Sequence, residues 1–204
     1  LGLAIGAFGA SALLLAGCAG GGGTDEGSSS DEPLIVGTTD KVTTLDPAGS
    51  YDNGSLAVQT QVFPYLVNTD YNSTDVVPDL AESAEFTAPD EYTVTLPAGL
   101  KWANGNDLTS SDVKFSFDRN LAIADPNGAS SLLYNLDSVE APDDTTVVFK
   151  LKAENDQVFP YILTSFPGAI VDDEVFAADE LTTDQDIVDA DAFGGPYKIT
   201  SYDF

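Results

Sequence analysis

The chain contains one cysteine, Cys18, so no disulfide within the chain can hold a folded domain together. A domain formed by the residues after Cys18 must be stabilised by a hydrophobic core, without the cross-links that strengthen many exported domains. The composition provides for such a core, because 43% of the residues are hydrophobic and they include 11 phenylalanines and 8 tyrosines. This content is typical of a globular protein and not of a disordered one.

The segment before Cys18 predicts export and attachment to a membrane. Residues 1–17 carry no charge, are almost all apolar or small, and end in Leu15-Ala16-Gly17. Such a run is typical of a secretory signal peptide, and the Leu-Ala-Gly-Cys ending looks like a lipobox, in which the cysteine thiol receives a lipid. Two acyl chains would give a stable anchor, at about 0.8 kcal/mol for each buried methylene. The alternative interpretation is a transmembrane or buried core helix with a free thiol, for which a span needs about 20 apolar residues.

Residues 18–33 are predicted to be the lipidated cysteine and a flexible tether. The run from Ala19 to Pro33 consists mainly of glycine, serine and acidic residues, and it has no side chain large enough to pack. This composition gives a flexible chain. Its glycines lack the following Lys-Ser/Thr of a phosphate-binding loop, so no nucleotide cofactor is predicted.

The charge balance excludes nucleic acid as a partner. Seven basic residues against 34 acidic ones give a formal charge of -27. A surface of this charge repels phosphate backbones and anionic lipid headgroups. The acidity would favour cationic ligands, but it is more commonly a solubility or salt-tolerance trait.

No catalytic residue, metal site or cofactor is predicted. The chain has no histidine, which removes the commonest general base, the Ser-His-Asp triad and the usual transition-metal ligand. Among 34 acids, neighbours such as Asp143-Asp144 and Asp172-Asp173 occur by chance, so they do not indicate a carboxylate-pair hydrolase. The chain is therefore predicted not to be an enzyme, with a secreted hydrolase as the disfavoured alternative.

The hydrophobic periodicity predicts a mixed α/β protein. Strands are predicted at 34–38, 91–96, 145–151 and 194–199, and helices at 53–67, from about 110 to 124 and at 159–163. Asn53 is the predicted cap of the first helix. Thr109 and Asp112 form a variant capping box at the start of the second, whose apolar positions Val113, Phe117 and Leu121 are spaced by four.

Several segments come in an order that resembles a known family. They are Leu45-Asp46-Pro47, Phe63-Pro64-Tyr65-Leu66-Val67, Pro78-Asp79-Leu80-Ala81-Glu82-Ser83, Leu100-Lys101-Trp102-Ala103-Asn104-Gly105, Leu108-Thr109-Ser110-Ser111-Asp112-Val113-Lys114-Phe115-Ser116 and Gly195-Pro196-Tyr197-Lys198-Ile199. The succession resembles the family 5 extracellular solute-binding proteins, the oligopeptide- and dipeptide-binding components of ABC importers. The resemblance runs from about residue 34 to residue 204, and it departs from the family at Pro64-Tyr65, where Glu-Gly is usual.

The resemblance implies a periplasmic-binding-protein-like two-lobed fold with an additional domain. It places the first segment of lobe I at residues 34–63, the additional domain at 64–166 and an incomplete return to lobe I at 167–204. Family members are much longer, the chain begins at Leu1 without a methionine, and it stops at Phe204 in a strand-like run. We therefore expect a fragment that is truncated at both ends.

The resemblance also implies ligand-binding residues. In the peptide-binding members, residues a few positions after Leu-Asp-Pro line the cleft near the amino end of the peptide. The resemblance therefore implies that Tyr51, Asp52 and Asn53 line the cleft, and it implies the same for Leu132 across an alignment gap. The residue types suit peptide binding, because the carboxylate of Asp52 could pair with an ammonium group, the ring of Tyr51 could cover a side chain and the amide of Asn53 could pair with the peptide backbone. The alternative is that Asn53 only caps its helix and Tyr51 packs on the surface.

Two further residues are interpreted as structural. Trp102 could serve as a stacking platform, but it matches an apolar position in a strand pair and is predicted to lie in the core. Arg119 is predicted to lie on a helix surface or at a domain interface. Neither is predicted to bind ligand.

The implied function is that of a substrate-binding lipoprotein of an ABC importer. It would capture short peptides between two lobes and deliver them to a membrane permease and its ATPase, as a monomer anchored on the extracytoplasmic face, in the periplasm or on the outer surface. One alternative keeps the family and changes the ligand to an oligosaccharide, a nickel complex or another solute. Another alternative is a surface lipoprotein without a transport role.

Overall fold

The computed structural model describes residues 33–202 of a chain that divides into two units, residues 1–37 and 38–204. In the first unit, Pro33 to Gly37 has no regular secondary structure, and the side chains of Leu34, Ile35 and Val36 are between 78% and 89% exposed. The strand predicted at 34–38 is therefore wrong, because an apolar run forms a strand only with a ladder partner and a surface to pack on. The predicted signal peptide, Cys18 and nearly all of the tether lie outside the described residues.

The second unit mixes helices and strands, as the periodicity predicts. In chain order they are α1 (Asn53–Val62), β1 (Val67–Thr69), β2 (Val76–Pro78), β3 (Ser83–Ala88), β4 (Glu91–Thr95), β5 (Leu100–Lys101), β6 (Asp107–Leu108), α2 (Ser110–Ile123), β7 (Leu136–Asp143), β8 (Thr146–Leu151), α3 (Phe159–Ile162) and α4 (Asp184–Asp189). Short 3₁₀ helices lie at Pro47–Gly49, Ser130–Leu133 and Phe166–Gly168.

An antiparallel sheet in the order β3-β4-β8-β7 is the largest of the sheets formed by the described residues. The alternation in β4 and β8 confirms the two strands predicted there, because successive side chains of a strand point to opposite faces. Tyr92 pairs with Phe149 and Val94 with Val147, and these four side chains are buried on one face. The remaining strands form the hairpin-like pairs β1-β2 and β5-β6.

Helix α2 covers the buried face of the sheet and starts where the capping box predicts. The Thr109 hydroxyl and the Asp112 carboxylate close the box reciprocally, which satisfies backbone N–H groups that have no partner within the helix. Val113 and Phe117 are fully buried, and the Phe117 ring meets that of Phe149 edge-on at 4.9 Å. Leu121, predicted on the same face, is 38% exposed near the helix end.

Helix α1 differs from its prediction at both ends. It begins at Asn53, but the cap is Asp52 and not Asn53. It ends at Val62, five residues early, because the ring and missing N–H of Pro64 oppose a further turn. The strand predicted at 194–199 is absent from the described residues: the N–H groups of Gly194 and Gly195 donate to the Val62 carbonyl at 3.0 and 2.8 Å, so this segment closes the end of α1.

Two hydrophobic clusters form the interior of the described unit. The larger one lies between the sheet and α2 and draws its buried members from Leu66 to Ile170. The smaller one joins α1 to the end of the chain, with Leu45, Val62, Phe63, Tyr65, Ala169, Val171, Phe176, Ile187, Ala192 and Phe193. Trp102 belongs to the larger cluster at 2% exposure, which confirms its predicted core position.

The capping box at α2 yields a graded prediction. Thr109→Ala removes one cap acceptor and should cost about 1 kcal/mol of unfolding free energy. Asp112→Ala should cost about 3 kcal/mol, because the backbone N–H of Thr109 and the indole N–H of Trp102 both donate to its carboxylate and would lose that partner. Urea unfolding midpoints measure both losses.

The control is Asp118→Ala on the same helix, where the carboxylate is exposed and pairs with Lys114 one turn earlier. It should cost less than about 0.5 kcal/mol. Equal losses for Thr109→Ala and Asp112→Ala would contradict the larger contribution expected of the Asp112 carboxylate, which accepts from two separate segments.

Candidate functional site

A groove with a volume of about 680 Å³ contains two of the sequence-predicted ligand residues, Tyr51 and Asp52. Three chain segments form its walls. The wall residues are Thr43, Thr44, Gly49, Tyr51 and Asp52 in the first, Asp125, Pro126 and Asn127 in the second, and Leu181 in the third. Ligand sites are commonly concave surfaces of this size with a few polar groups, so this groove is the candidate site.

Tyr51 is held at the groove by local backbone structure and by one aromatic contact. It follows the 3₁₀ helix Pro47–Gly49, whose cap is the Asp46 carboxylate. The side chain is 52% exposed, and its ring packs against the ring of Phe166 in a T-shaped pair at a centroid distance of 4.7 Å and an interplanar angle of 84°. An aromatic ring fixed in this way presents a rigid apolar face to a ligand.

Asp52 combines a structural and a chemical role. As the cap of α1, its Oδ1 accepts from the Ser55 N–H at 2.8 Å, and its Oδ2 accepts from the Thr43 hydroxyl at 2.5 Å. Partial burial would raise the pKa of Asp52, but the hydrogen bonds from Thr43 and Ser55 outweigh it and hold the pKa below its usual value of 3.8. The groove therefore carries a fixed negative charge at neutral pH.

The second wall is the loop that follows α2. The helix ends at Ile123, and its C-cap Ala124 has a left-handed conformation. Asp125 then accepts from the Asn127 N–H at 2.8 Å, which forms a tight turn. The next residue must be glycine, because a Cβ on Gly128 would lie 2.1 Å from the carbonyl oxygen of Ala48. The loop is thus seated directly on the 3₁₀ helix of the first wall.

The groove is acidic and polar. Asp52 and Asp125 contribute carboxylates, and none of the residues that line it is lysine or arginine. Hydroxyl and amide groups of Thr43, Thr44 and Asn127 add hydrogen-bonding capacity, while Leu181 adds apolar surface. Such a site can hold a cationic group together with neutral hydrogen-bonding groups.

The other two predicted ligand residues lie outside this groove. Asn53 is exposed on the first turn of α1. Leu132 is half-buried in the 3₁₀ helix Ser130–Leu133 and packs against the larger hydrophobic cluster. Sequence reasoning did not select Leu181 or the 125–127 loop as ligand-binding residues.

A second cavity, of about 520 Å³, lies beside the end of α1. Its lining includes Gln61, Tyr65, Asn68, Asp79 and the backbone around Gly195. None of the sequence-predicted ligand residues lines it, so we do not assign it the site.

Three carboxylates outside the groove also lie close together. Oxygens of Asp112, Asp172 and Asp173 are within 4.8 Å of one another. Each of them already accepts hydrogen bonds. The donors to Asp112 are Trp102 Nε1, Thr109 N and Asp173 N. The donors to Asp172 are Asn104 Nδ2, Asn106 Nδ2 and Glu174 N, and the donor to Asp173 is Ser111 Oγ. Burial raises the pKa of Asp112, while these donors oppose the shift. The cluster therefore fastens β5-β6, α2 and the 172–174 segment together.

Arg119 is 3% exposed, so its predicted position on a helix surface is wrong. Its guanidinium forms two hydrogen bonds to the Asp46 carboxylate, which places it between α2 and the segment that carries Tyr51 and Asp52. The alternative, a position at a domain interface, stays a prediction, and the contact shows only that Arg119 joins segments distant in sequence.

The chain belongs to the family described as "Bacterial extracellular solute-binding proteins, family 5 Middle", whose model matches residues 75–203. The resemblance inferred from the sequence motifs is therefore confirmed. Within the part of the chain that the structure describes, no helix has the length and apolar character needed to cross a membrane.

One curated relative is an Escherichia coli (strain K12) protein described as "Probable D,D-dipeptide-binding periplasmic protein DdpA". It is 31% identical over 177 residues, which cover 83% of this chain and 33% of the relative. The chain thus spans about a third of the length of this relative.

Solved structures give the same fold. The oligopeptide-binding protein AppA of Bacillus subtilis, in complex with a nonapeptide, has a TM-score of 0.57 and 28% identity over 64% of this chain and 25% of its own. The substrate-binding domain of an oligopeptide ABC transporter from Bacillus anthracis reaches a TM-score of 0.69 at 17% identity, over 81% of this chain and 35% of its own. The described unit is therefore a mixed helix-and-sheet part of the binding-protein fold, which confirms the predicted fold class.

The pKa of Asp52 gives a pH-dependent prediction. Because its folded pKa is lowered, its stabilisation is complete above the unfolded value near 3.8 and is lost as the pH falls through the folded value. Asp52→Asn keeps a good cap but removes this titration. Between pH 7 and pH 3 the wild-type melting temperature should therefore fall further than that of Asp52→Asn.

Asp52→Ala provides the comparison, since it removes the cap and should cost about 1 kcal/mol even at pH 7. Identical losses of melting temperature on acidification in wild type and Asp52→Asn would show that Asp52 does not titrate as proposed.

Proposed function

We propose that this protein is the solute-binding component of an ABC importer and captures short peptides in the groove of Tyr51 and Asp52. The observation that carries the proposal is an acidic, polar groove with a fixed carboxylate, an exposed aromatic ring and no cationic lining residue. Family membership and relatives whose names refer to peptides support it. Binding and delivery, not catalysis, are the proposed activity.

The groove offers a separate contact for each part of a peptide. The Asp52 carboxylate is placed to pair with the terminal ammonium group, because charge-assisted hydrogen bonds are the strong ones. The Tyr51 ring would cover a side chain, and the hydroxyl and amide groups of Thr43 and Asn127 would pair with the peptide backbone. Recognition through the terminus and backbone would tolerate different side chains.

We also propose the domain division of residues 34–63, 64–166 and 167–204 as lobe I, additional domain and return to lobe I. The two hydrophobic clusters support it. The larger cluster draws its buried residues from Leu66 to Ile170, while the smaller combines residues from Leu45 to Tyr65 with residues from Ala169 to Phe193. Closure of the complete protein around its ligand would then report occupancy to a permease.

Peptide binding is tested by calorimetry with trialanine and N-acetyl-trialanine. Trialanine should bind, and acetylation should weaken binding by at least about tenfold because it removes the ammonium charge. Tyr51→Ala and Asp52→Asn should each weaken trialanine binding by about tenfold. Matched controls are Tyr134→Ala, an exposed tyrosine elsewhere, and Asp79→Asn, in the second cavity; both should bind as wild type.

Two outcomes would overturn the proposal, and a further pair of variants tests the extent of the site. Equal binding of the acetylated peptide would remove Asp52 as the ammonium partner. Binding of oligosaccharides or nickel complexes without peptide binding would change the ligand class within the family. Asn53→Ala and Leu132→Ala decide the two remaining site predictions, since a loss of affinity would extend the site to them.

We further propose that residues 1–17 are a signal peptide, that Cys18 carries the lipid, and that the mature protein works as a monomer with a permease and its ATPase. The Leu-Ala-Gly-Cys ending supports the anchor. In a host with the lipidation pathway, Cys18→Ser should abolish incorporation of labelled palmitate and move the protein from the detergent phase to the aqueous phase in Triton X-114 partitioning. Unchanged labelling of Cys18→Ser would contradict lipidation at this residue.

A further inference from the structure

We propose that Arg119 and Asp46 form a clamp that positions the three walls of the ligand groove, so that Arg119 controls ligand affinity without touching the ligand. The inference rests on the proposed function of the groove. Arg119 Nη1 lies 2.8 Å from Asp46 Oδ1, and Nη2 lies 2.6 Å from Oδ2. The two side chains are only 2% and 0% exposed, so this bidentate pair is shielded from solvent.

Asp46 connects the clamp to the first wall. Its Oδ1 also accepts from the Ala48 N–H at 3.0 Å and caps the 3₁₀ helix Pro47–Gly49. Gly49 lines the groove, and Tyr51 follows two residues later. The direction in which the chain enters the groove is therefore set by a carboxylate whose own orientation depends on Arg119.

The same two residues hold the segment that carries Leu181. Asp46 Oδ2 accepts from the Thr182 N–H at 2.7 Å, and the Arg119 guanidinium donates to the carbonyls of Ala177 and Glu180 at 2.5 and 2.8 Å. The methyl groups of Leu181 then lie against Gly49, so this wall meets the first one.

The loop wall is connected through the backbone of α2. Arg119 lies in the last turns of the helix, and the chain continues from Ala124 directly into the groove residues Asp125 to Asn127. Gly128 closes this loop onto the carbonyl of Ala48. Every wall of the groove thus reaches the Arg119–Asp46 pair within a few residues.

The acceptors of the Arg119 guanidinium distinguish a role in positioning the groove walls from a general stabilisation of the fold. The four hydrogen bonds of the guanidinium all end on Asp46 or on the carbonyls of Ala177 and Glu180. The Phe176 ring also lies close to the guanidinium, with its centroid 5.3 Å from the guanidinium carbon. A lysine keeps the charge but cannot reproduce a planar fork with four acceptors, so Arg119→Lys should loosen the walls selectively.

The test measures wall mobility and affinity together in the purified full chain. In Arg119→Lys, amide hydrogen exchange should accelerate in residues 46–52 and 177–182 and stay unchanged in β4 and β8. Trialanine affinity should fall by about tenfold. The matched control is Asn135→Ala, which removes a buried polar side chain bonded to Ala153 and Asp156. It should lower the melting temperature without lowering affinity.

A loss of affinity in Asn135→Ala equal to that in Arg119→Lys, at equal loss of melting temperature, would overturn the positioning role. Uniform acceleration of exchange, or none in the two wall segments, would also overturn it. If wild-type protein binds no peptide, the proposed function fails, while the exchange pattern still decides whether the clamp holds the walls.

If the Arg119→Lys variant does not fold, amide hydrogen exchange of the wild-type protein tests the clamp instead. The amides of Ala48 and Thr182 both donate to the Asp46 carboxylate. They should therefore open together, and protection factors that differ by more than about tenfold would contradict a common clamp.

Discussion

The described unit depends on one buried ion pair. Arg119 is the only arginine among seven basic residues of the chain, and its charge lies inside the protein against Asp46, 73 residues away. Two charges without solvent are tolerated only if their hydrogen bonds are nearly all satisfied. Here the carbonyls of Ala177 and Glu180 and the amide of Thr182 complete the set. The pair therefore makes the start of the unit, the helix α2 and the 177–182 segment mutually dependent.

The scarcity of cations explains how several other carboxylates are used. With 34 acidic residues and so few basic ones, ion pairs cannot neutralise the acids, and many of them bind backbone N–H groups instead. Asp46, Asp52 and Asp112 cap helices, and Asp125 and Asp143 close turns. Helix starts favour negative charge and leave N–H groups without partners, so each acid both orders the chain and is stabilised by it. Asp52 shows how a residue placed for folding also becomes a charged element of the groove.

The sequence predicts the elements that depend on contacts between neighbouring residues better than those that depend on contacts between distant residues. The Thr109–Asp112 box and the alternation around Val94 involve neighbours in sequence, so pattern alone located α2, β4 and β8. Residues 34–38 and 194–199 are also predicted as strands, but strand formation depends on distant pairing that no local pattern reports. In the groove, the family resemblance led to Tyr51 and Asp52. The 125–127 loop and Leu181 were missed because they meet the first wall through contacts between residues far apart in sequence, which are the Arg119–Asp46 pair and the close approaches of Gly128 to Ala48 and of Leu181 to Gly49.

Trp102 lies where the two hydrophobic clusters meet. Its indole N–H donates to Asp112 at 3.1 Å, and its ring leaves no space for a Cβ on Gly194, which would lie 2.8 Å from a ring carbon. The next residue, Ala103, donates its N–H to the carbonyl of Phe193, a member of the smaller cluster. The chain has no other tryptophan. Separation of the clusters would expose this indole and change its emission wavelength, so the protein carries an intrinsic optical reporter of the contact between its two cores.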